Sequence, residues 1–408
     1  MKGINVKSEI GTLKKVLLHR PGRELLNLTP NTLGELLFDD IPFLKMAQAE
    51  HDAFAKTLSK EGVEVVYIED LVTQIFDKDS EIKKKFLEQF IIESGVSSAY
   101  FHSKIYDYLC EKFTNNKDLV LKTVEGINID ELKIDKTKHL SAMVADQSFM
   151  IVKPMPNLYF TRDPFASIGD GVSVHKMYSV TRNRETIYAE YLFKYHPDFK
   201  DSPQYYNRYL PFRIEGGDVM IINNTTIAVG ISQRTEADAI EVLAKQIFAT
   251  NKEIINVLAI IIPSSRAFMH LDTVFTQIDR DKFVAFKGAF ETIDVCELTK
   301  SKSGDGVNIK KATGTLEEIL EKYVGKKVEI IPCAGGNRIN AEREQWNDGS
   351  NILTIAPGKV VVYDRNDISN SILKERGIKL HEIPSAELSR GRGGPRCMSM
   401  PLFREDLK

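Results

Sequence analysis

The stretch Lys359-Val360-Val361-Val362-Tyr363 is rich in β-branched residues and predicts a buried strand. Asp367 to Arg376 follows with the apolar spacing of a helix. Gly377 ends that helix, because glycine is favoured just beyond a helix C-terminus. Residues 378–383 predict a second strand. A strand, a helix and a second strand in this order form the basic unit of an α/β fold.

Two other parts of the chain repeat this order. Their predicted elements are strands at 15–19, 63–68, 226–230 and 257–262 and helices at 45–60 and 237–248. The repetition predicts either an internally repeated α/β architecture or a doubly wound parallel sheet, and the rhythm alone does not separate the two.

One region, residues 71–150, breaks the rhythm. It has few strand-like runs, and helical spacing is found instead at 81–92, 97–113 and 119–124. We therefore predict a helical insertion or subdomain over 71–150.

Length and composition limit the class of protein. A chain of 408 residues exceeds the roughly 250–300 residues at which a single core usually stops growing. We therefore expect two domains, or one repetitive fold with an insertion. The content of 42% hydrophobic and 27% charged residues is that of a soluble globular protein, and a net charge of −2 gives no pull toward nucleic acid or membrane.

The N-terminus lacks the apolar run of a signal peptide, and no long apolar segment predicts a membrane span. The four cysteines include no CxxC pair, which argues against a disulfide scaffold and a structural zinc site. These features predict a reduced, cytoplasmic protein.

Cys397 lies in a glycine-rich loop between Arg390 and Pro401, with several arginines beside it. Such a loop gives a substrate room to approach a thiol, and the positive charge favours the thiolate, so Cys397 is a candidate nucleophile. A buried, inert cysteine is the alternative. The arginine–glycine run also resembles RNA-binding segments, but it is short and the chain has no net positive charge.

Three other clusters contain acids or a histidine. Residues 268–275 alternate as in a strand, which would place His270 and Asp272 on one face, as a proton-transfer group beside a cation-binding group. Glu215 ends a predicted strand before two glycines and could orient a histidine. Asp163 precedes Pro164, which restricts its backbone. An ordinary His–Asp hydrogen bond and simple turns are the structural alternatives for these three clusters.

The acids and the histidine could also ligate a metal. The candidates are Asp163, Glu215, Asp218, His270 and Asp272. However, the chain has no HExxH helix, no EF-hand loop and no phosphate-binding GxxxxGK[ST] loop. We therefore predict no metal site and no phosphate chemistry.

Taken in order, five motifs resemble those of the arginine deiminases, which belong to the guanidino-group-modifying (pentein) superfamily. They are Met155–Ser167, Ile214–Asp218, Met269–Thr273, Glu342–Trp346 and Arg396–Pro401. The resemblance implies a five-bladed, pseudo-symmetric α/β propeller with a helical insertion. Residues 1–70 and 151–408 would form the catalytic propeller and residues 71–150 the insertion.

The resemblance also implies an activity and a set of site residues. The expected reaction is hydrolysis of L-arginine to L-citrulline and ammonia through a covalent cysteine–thiouronium intermediate. The resemblance likewise implies that no metal or organic cofactor is needed. The implied catalytic residues are Cys397, His270, Glu215, Asp163 and Asp272. The implied substrate-binding residues are Asn157, Phe160, Arg182, Arg234, Gly391 and Arg392, of which Arg182 and Arg234 match positions that bind the substrate carboxylate and Arg392 matches a gating arginine.

Other functions stay open on the sequence alone. A dimethylarginine hydrolase or an amidinotransferase of the same superfamily would share the acid, histidine and cysteine chemistry. A non-catalytic pentein that binds partners is a further alternative, although such a chain should lack the cysteine or the histidine. Family members are often homodimers or homotetramers, so we expect a homo-oligomer and no nucleic-acid or membrane partner.

Overall fold

The computed structural model describes residues 3–134, 140, 143, 150–290, 294–301 and 306–407. Its strands are β1 (Leu13–Leu18), β2 (Glu64–Tyr67), β3 (Ile127–Asn128), β4 (Met150–Val152), β5 (Phe165–Ile168), β6 (Gly171–Val174), β7 (Gln204–Tyr206), β8 (Val219–Asn223), β9 (Thr226–Ile231), β10 (Asn256–Ile261), β11 (Phe275–Gln277), β12 (Lys282–Ala285), β13 (Asp294–Lys300), β14 (Val307–Lys311), β15 (Glu329–Pro332), β16 (Leu353–Ala356), β17 (Lys359–Tyr363), β18 (Lys379–Ile383) and β19 (Met400–Arg404). Its α-helices are α1 (Leu44–Lys60), α2 (Ile68–Lys78), α3 (Ser80–Glu93), α4 (Ala99–Lys112), α5 (Asn116–Glu125), α6 (Val180–Asn183), α7 (Thr186–Tyr195), α8 (Ala237–Thr250), α9 (Leu316–Val324), α10 (Arg338–Trp346) and α11 (Asp367–Glu375).

Five sheets in the described part of the chain share one plan. In each, a middle strand is antiparallel to one neighbour and parallel to the other, and a helix lies in the connection to the parallel strand. Written with the middle strand second, the sheets are β19-β1-β2, β5-β6-β7, β8-β9-β10, β11-β12-β15 and β16-β17-β18. Strands β13 and β14 extend the third sheet. The rhythm that the sequence indicated at three places therefore occurs at five.

The unit at residues 359–383 forms as predicted, and its helix ends for the expected reason. Gly377 has a φ of 78°, a left-handed conformation that glycine adopts without strain. Its N–H donates to the carbonyl of Lys374 at 3.0 Å, and the N–H of Ile378 donates to the carbonyl of Leu373 at 3.0 Å. These two bonds satisfy carbonyls that the helix end would otherwise leave unpaired.

Helices α2 to α5 follow one another from Ile68 to Glu125, where the sequence predicted helical stretches. Their buried residues belong to the same hydrophobic core as the second and third sheets. The ring centres of Phe86 in α3 and Tyr191 in α7, for example, are 5.0 Å apart. Residues 135–139, 141–142 and 144–149 of the predicted insertion lie outside the described residues. The division into a propeller and an insertion stays a prediction.

Two strand predictions near the site are wrong. Residues 268–275 do not form a strand: two short 3₁₀ turns, Arg266–Phe268 and Leu271–Thr273, flank His270, and β11 begins only at Phe275. Glu215 does not end a strand either, because residues 213–215 belong to no strand and a 3₁₀ turn follows at Gly216–Asp218. In both places the side chains are positioned by turns that long-range hydrogen bonds hold.

The first and last strands of the chain pair with each other. β1 lies between β19 and β2, so the loop that precedes β19 and contains Cys397 is held against the N-terminal segment. No helix in the described ranges is long and apolar enough to cross a membrane.

Candidate active site

Cys397 lies at the end of the loop that leads into β19, with a 3% exposed side chain. Its backbone N–H donates to Oδ1 of Asn351 at 3.0 Å. Its Sγ lies 3.7 Å from Oδ2 of Asp272. The thiol is therefore buried beside a carboxylate.

The surroundings of Cys397 favour the thiol over the thiolate. Burial raises its pKa well above the ordinary value, and the negative charges of Asp272, Asp163 and Asp348 raise it further. Arg396 acts in the opposite direction but does not compensate. Without a bound cation, the acids raise the pKa of Cys397 more than the neighbouring positive charge lowers it. The sequence had led us to expect that the nearby arginines favour the thiolate.

The imidazole of His270 is hydrogen-bonded to Glu215, which directly precedes the turn at Gly216–Asp218. Its Nε2 lies 2.7 Å from Oε2 of Glu215, and its Nδ1 lies 3.8 Å from Oδ1 of Asp163. Burial opposes the charged imidazole, but Asp163 and Glu215 more than offset it and raise the pKa of His270 to about 9. Burial also opposes the charge of Glu215, yet Arg234 and His270 keep its pKa well below the usual range. His270 is thus protonated near neutral pH and ready to donate a proton.

The two glycines after Glu215 are required by close packing. A Cβ on Gly217 would lie 2.6 Å from Nδ1 of His270, and one on Gly216 would lie 1.9 Å from the carbonyl oxygen of Arg162. Of the two reasons that the sequence offered for these glycines, close approach of the backbone is therefore the one that applies.

The carboxylates of Asp163 and Asp272 are alike in that each accepts a hydrogen bond through only one of its two oxygens. Nη1 of Arg182 donates to Oδ2 of Asp163 at 2.8 Å, and Nη1 of Arg396 donates to Oδ2 of Asp272 at 2.8 Å. The other oxygen of each, Oδ1, is buried and has no hydrogen-bond partner among the described residues. Buried acceptors are normally satisfied, so two free carboxylate oxygens near one thiol indicate a site for a cation with several N–H donors.

Arg182 and Arg234, which we expected to bind the carboxylate of a substrate, form ion pairs with acids of the site. Arg182 forms a bidentate pair with Glu185, with Nη2 at 2.8 Å from Oε2, in addition to its bond to Asp163. Arg234 places Nη1 at 3.3 Å from Oε2 of Glu215. The structure therefore brings Arg182, Arg234, Asp163, Glu215 and His270 into one buried cluster.

Asn157, Phe160 and Gly391 lie around the same cluster. Nδ2 of Asn157 donates to the backbone carbonyl of Leu36 at 2.6 Å. The backbone carbonyl of Asn157 accepts from Nη2 of Arg182 at 3.5 Å. A Cβ on Gly391 would come within 2.0 Å of Oη of Tyr159 and 3.0 Å of the Phe160 ring. Only glycine fits at position 391 against these two aromatic rings.

Arg392 is held by an aromatic ring more than by hydrogen bonds. Its guanidinium lies 3.4 Å from the centre of the Trp346 ring, and Nη1 is 3.7 Å from Oδ2 of Asp39. Its Nε and Nη1 are buried without a hydrogen-bond partner among the residues that the structure describes. Its backbone has a φ of 64°, which is uncommon for a residue with a side chain.

Comparison with known proteins decides between the families that share such a cluster. The family model of arginine deiminase matches residues 34–404. The chain belongs to the arginine deiminase family. An arginine deiminase of Treponema denticola is 57% identical over 411 residues, covering 100% of both chains. One of Clostridium perfringens is 52% identical over 410 residues, covering 100% of this chain and 99% of that one.

Solved structures with a lower identity share the α/β fold. The N-terminal domain of ArgZ, an arginine dihydrolase of cyanobacteria, aligns with a TM-score of 0.54 at 14% identity, covering 97% of this chain and 99% of that one. SxtG, an amidinotransferase of Microseira wollei, aligns with a TM-score of 0.56 at 14% identity, covering 99% and 98%. At these identities the likeness supports the fold alone.

Several residues of this arginine deiminase family member lie at the site although sequence reasoning gave them no role or, for Asp218, only that of a possible metal ligand. Asn351 joins two loops, because its Oδ1 accepts from the N–H of Cys397 and its Nδ2 donates to the carbonyl of Asp272 at 3.1 Å. Asp218 holds the turn after His270 by accepting from the N–H of Leu271 at 2.8 Å. The burial of Asn351 results from tertiary packing, so the sequence carried no signal for it.

Asp348 and Gln345 complete this group. Asp348 has a φ of 62°, and burial, with a contribution from Asp272, raises its pKa to about 7 despite the opposing charge of Arg392. Nε2 of Gln345 donates to the carbonyls of Ala267 at 2.7 Å and Thr273 at 3.3 Å. Gln345 therefore fastens both ends of the segment that contains His270 and Asp272, and it lies in a motif that the resemblance had already included.

Three donor atoms of the cluster could also hold a metal ion. They belong to Asp163, Glu215 and His270 and lie within 4.8 Å of one another. Arg182 and Arg234 compete for the two carboxylates, at 2.8 Å and 3.3 Å. Two guanidinium groups so close to the donors would repel a divalent cation. That no metal is required stays a prediction.

Proposed function

We propose that this protein hydrolyses L-arginine to L-citrulline and ammonia, with Cys397 as the nucleophile. Membership of the arginine deiminase family supports the reaction. The observation that carries the assignment to this site is the pair of uncommitted oxygens, Oδ1 of Asp163 and Oδ1 of Asp272, with Cys397 beside Asp272. A guanidinium is planar, always protonated and rich in N–H donors, which matches two buried carboxylate oxygens.

In this proposal Asp163 and Asp272 bind the guanidinium and hold its carbon still for attack. Each charge-assisted hydrogen bond would contribute about 1.5–3 kcal/mol. Fixing the orientation of the reacting carbon also removes much of the entropic part of the barrier. Arg182 and Arg234 pair with Asp163 and Glu215 in the structure, and in this proposal they leave these acids to bind the α-carboxylate at the other end of the substrate. Asn157, Phe160 and Gly391 line the pocket, and Arg392 gates it.

The covalent step begins when the Cys397 thiolate forms a bond to the guanidinium carbon, giving a tetrahedral adduct. His270 donates its proton to the departing nitrogen, the carbon–nitrogen bond breaks, and ammonia leaves an S-alkylthiouronium on Cys397. A water molecule then attacks the same carbon and gives one proton to His270. The carbon–sulfur bond breaks, the remaining hydroxyl proton passes to the departing thiolate, and citrulline is released with Cys397 as a thiol again. Glu215 holds the imidazole and stabilises its protonated form, in agreement with the raised pKa of His270.

Cys397 has to become a thiolate in surroundings that favour the thiol. The groups that raise its pKa, Asp163 and Asp272, are the ones that a bound guanidinium neutralises. Substrate binding would therefore activate the nucleophile. Titration of the empty enzyme with iodoacetamide tests this step: a pKa of Cys397 well below 7 without substrate would contradict it.

The five sheets with a common strand plan support a five-bladed α/β propeller as the arrangement of the catalytic part, residues 1–70 and 151–408. Helices α2 to α5 support a helical insertion over 71–150. We also propose that the protein acts in the cytoplasm as a homodimer or homotetramer, and that it needs no metal or organic cofactor. Light scattering and metal analysis of the purified enzyme test the last two points.

The first experiment is a product assay. The protein is incubated with L-arginine in EDTA, and citrulline and ammonia are quantified, with Cys397→Ala as the control. Equimolar products from the wild type and none from the variant are expected. Turnover of methylated arginine, or transfer of the amidino group, without hydrolysis of arginine would favour one of the other superfamily activities.

A further inference from the structure

A series of charged side chains leads from the N-terminal segment to the proposed nucleophile. Glu9 forms a bidentate pair with Arg396, in which Nε and Nη2 donate to its two oxygens at 2.8 Å and 3.2 Å. Nη1 of Arg396 donates to Oδ2 of Asp272 at 2.8 Å, and that oxygen lies 3.7 Å from Sγ of Cys397. None of the four side chains is more than 4% exposed.

The guanidinium of Arg396 is fixed on every side. Besides Glu9 and Asp272, its Nη2 donates to the carbonyl of Val219 at 2.8 Å. The backbone carbonyl of Arg396 accepts from Nε of Arg162 at 3.2 Å. Because Arg396 occupies Oδ2 of Asp272, the oxygen left free for a ligand is always Oδ1. The orientation of Asp272 therefore depends on a guanidinium whose own position depends on Glu9.

We propose that Glu9 is a positioning residue of the reaction, which acts through Arg396 to present the free oxygen of Asp272 to the guanidinium of the substrate. This inference rests on the proposed function, because it takes Asp272 as a guanidinium ligand. Glu9 touches neither the substrate nor the thiol. It is distant from Arg396 in the chain, and the pairing of the first and last strands brings their two segments side by side.

Glu9 also affects Cys397 indirectly, through the charge of Arg396. The groups that face the thiol are Asp272, Asp163, Asp348 and Arg396, with His270 beside Asp163. Glu9 is ionised, because Arg396 and Arg162 hold its pKa near 2 against the effect of burial. With that negative charge removed, the positive charge of Arg396 would act more strongly on Cys397 and favour the thiolate.

The test is Glu9→Gln, which keeps the shape of the side chain and removes its charge. We expect kcat/KM for arginine to fall by about 10-fold to 100-fold, since Asp272 is no longer fixed. We also expect the pH midpoint of iodoacetamide alkylation of Cys397, followed by peptide mass spectrometry in the absence of substrate, to shift downward. A defect that exposes Cys397 would also lower the midpoint, because burial raises the pKa of the thiol, so circular dichroism and a variant that keeps the charge are measured beside it.

The matched control is Glu69→Gln, which removes a buried glutamate from an ion pair with His19 and should leave the alkylation midpoint unchanged. Glu9→Asp keeps the charge and should keep the wild-type midpoint while raising KM. If Glu9→Gln does not fold, as judged by circular dichroism, a KM of Glu9→Asp equal to that of the wild type overturns the proposal. In a folded Glu9→Gln, an unchanged kcat/KM or an unchanged midpoint overturns it. Absence of turnover in the wild type would instead contradict the proposed function.

Discussion

Two buried histidines of this molecule have similar electrostatics but different neighbours. Nε2 of His270 lies 2.7 Å from Glu215, and Nδ1 of His19 lies 2.9 Å from Glu69. Burial opposes the charge of both rings, yet the adjacent carboxylates raise the pKa of His270 to about 9 and that of His19 to about 10. The pKa alone does not separate the histidine that we propose as catalytic from a structural one.

The neighbours on the other side of each ring make the difference. Nδ1 of His270 faces Oδ1 of Asp163, which has no hydrogen-bond partner in the described part of the chain. Nε2 of His19 faces Glu24 at 3.4 Å, and Glu24 is already engaged by the N–H of Gly22. A carboxylate oxygen without a partner therefore characterises the neighbour of His270, whereas the carboxylate beside Nε2 of His19 already accepts a backbone hydrogen bond.

The largest expected effect is on turnover. His270→Gln can still bond to Glu215 but cannot transfer a proton, so kcat should fall by about 10²–10⁴-fold. Citrulline formation is measured at saturating arginine, with circular dichroism to verify the fold. A kcat close to that of the wild type would mean that another group transfers the proton.

The second prediction concerns His19, and its effect should be on stability instead. His19→Gln leaves Glu24 and Glu69 buried without a positive partner, which should lower the free energy of unfolding by about 3–5 kcal/mol. Most of kcat should be retained, because the ring contacts no proposed site residue. Urea denaturation and the citrulline assay measure the two quantities on one preparation. A variant that is stable but inactive would give His19 a role in the reaction and remove the contrast with His270.

The third prediction uses pH. The folded pKa of His19, about 10, lies above its ordinary value of 6.5. Its contribution to stability is therefore complete below pH 6.5 and is lost as the pH rises through about 10. The midpoint of thermal unfolding should fall more steeply between pH 7 and 10 in the wild type than in His19→Gln. The other groups that titrate in this range are common to both proteins, so parallel curves would show that His19 is not charged in the folded state.

Two segments of the chain illustrate which parts of the fold can be predicted from the sequence. Strands and helices such as those at 359–383 follow from local periodicity and a glycine at a helix end, so they could be predicted. The segment around His270 could not. Alternating residues imitate a strand there, whereas Asp218, distant in the chain, accepts from the N–H of Leu271 and helps to form a turn.

The same limit applies to the site. Its residues could be identified because motifs carry them, but their pairing could not. Nothing in the sequence indicates that Arg182 engages Asp163, that Arg396 engages Asp272, or that Asn351 joins Asp272 to Cys397. Arg182 lies in α6 and Asp163 lies just before β5 of the same unit, whereas the other contacts join loops from different sheets. The spatial proximity of those loops is decided by the whole fold.

The smallest expected effect comes from the residue next to His19. Arg20 forms two hydrogen bonds with Asp52, at 2.6 Å and 2.8 Å, but the side chains are 39% and 51% exposed. Water and salt screen such a pair, so Asp52→Asn should change the free energy of unfolding by no more than about 1 kcal/mol. Urea denaturation measures this beside His19→Gln. If Asp52→Asn lowers the free energy of unfolding as much as His19→Gln does, burial does not determine how much these two neighbouring ion pairs stabilise the fold.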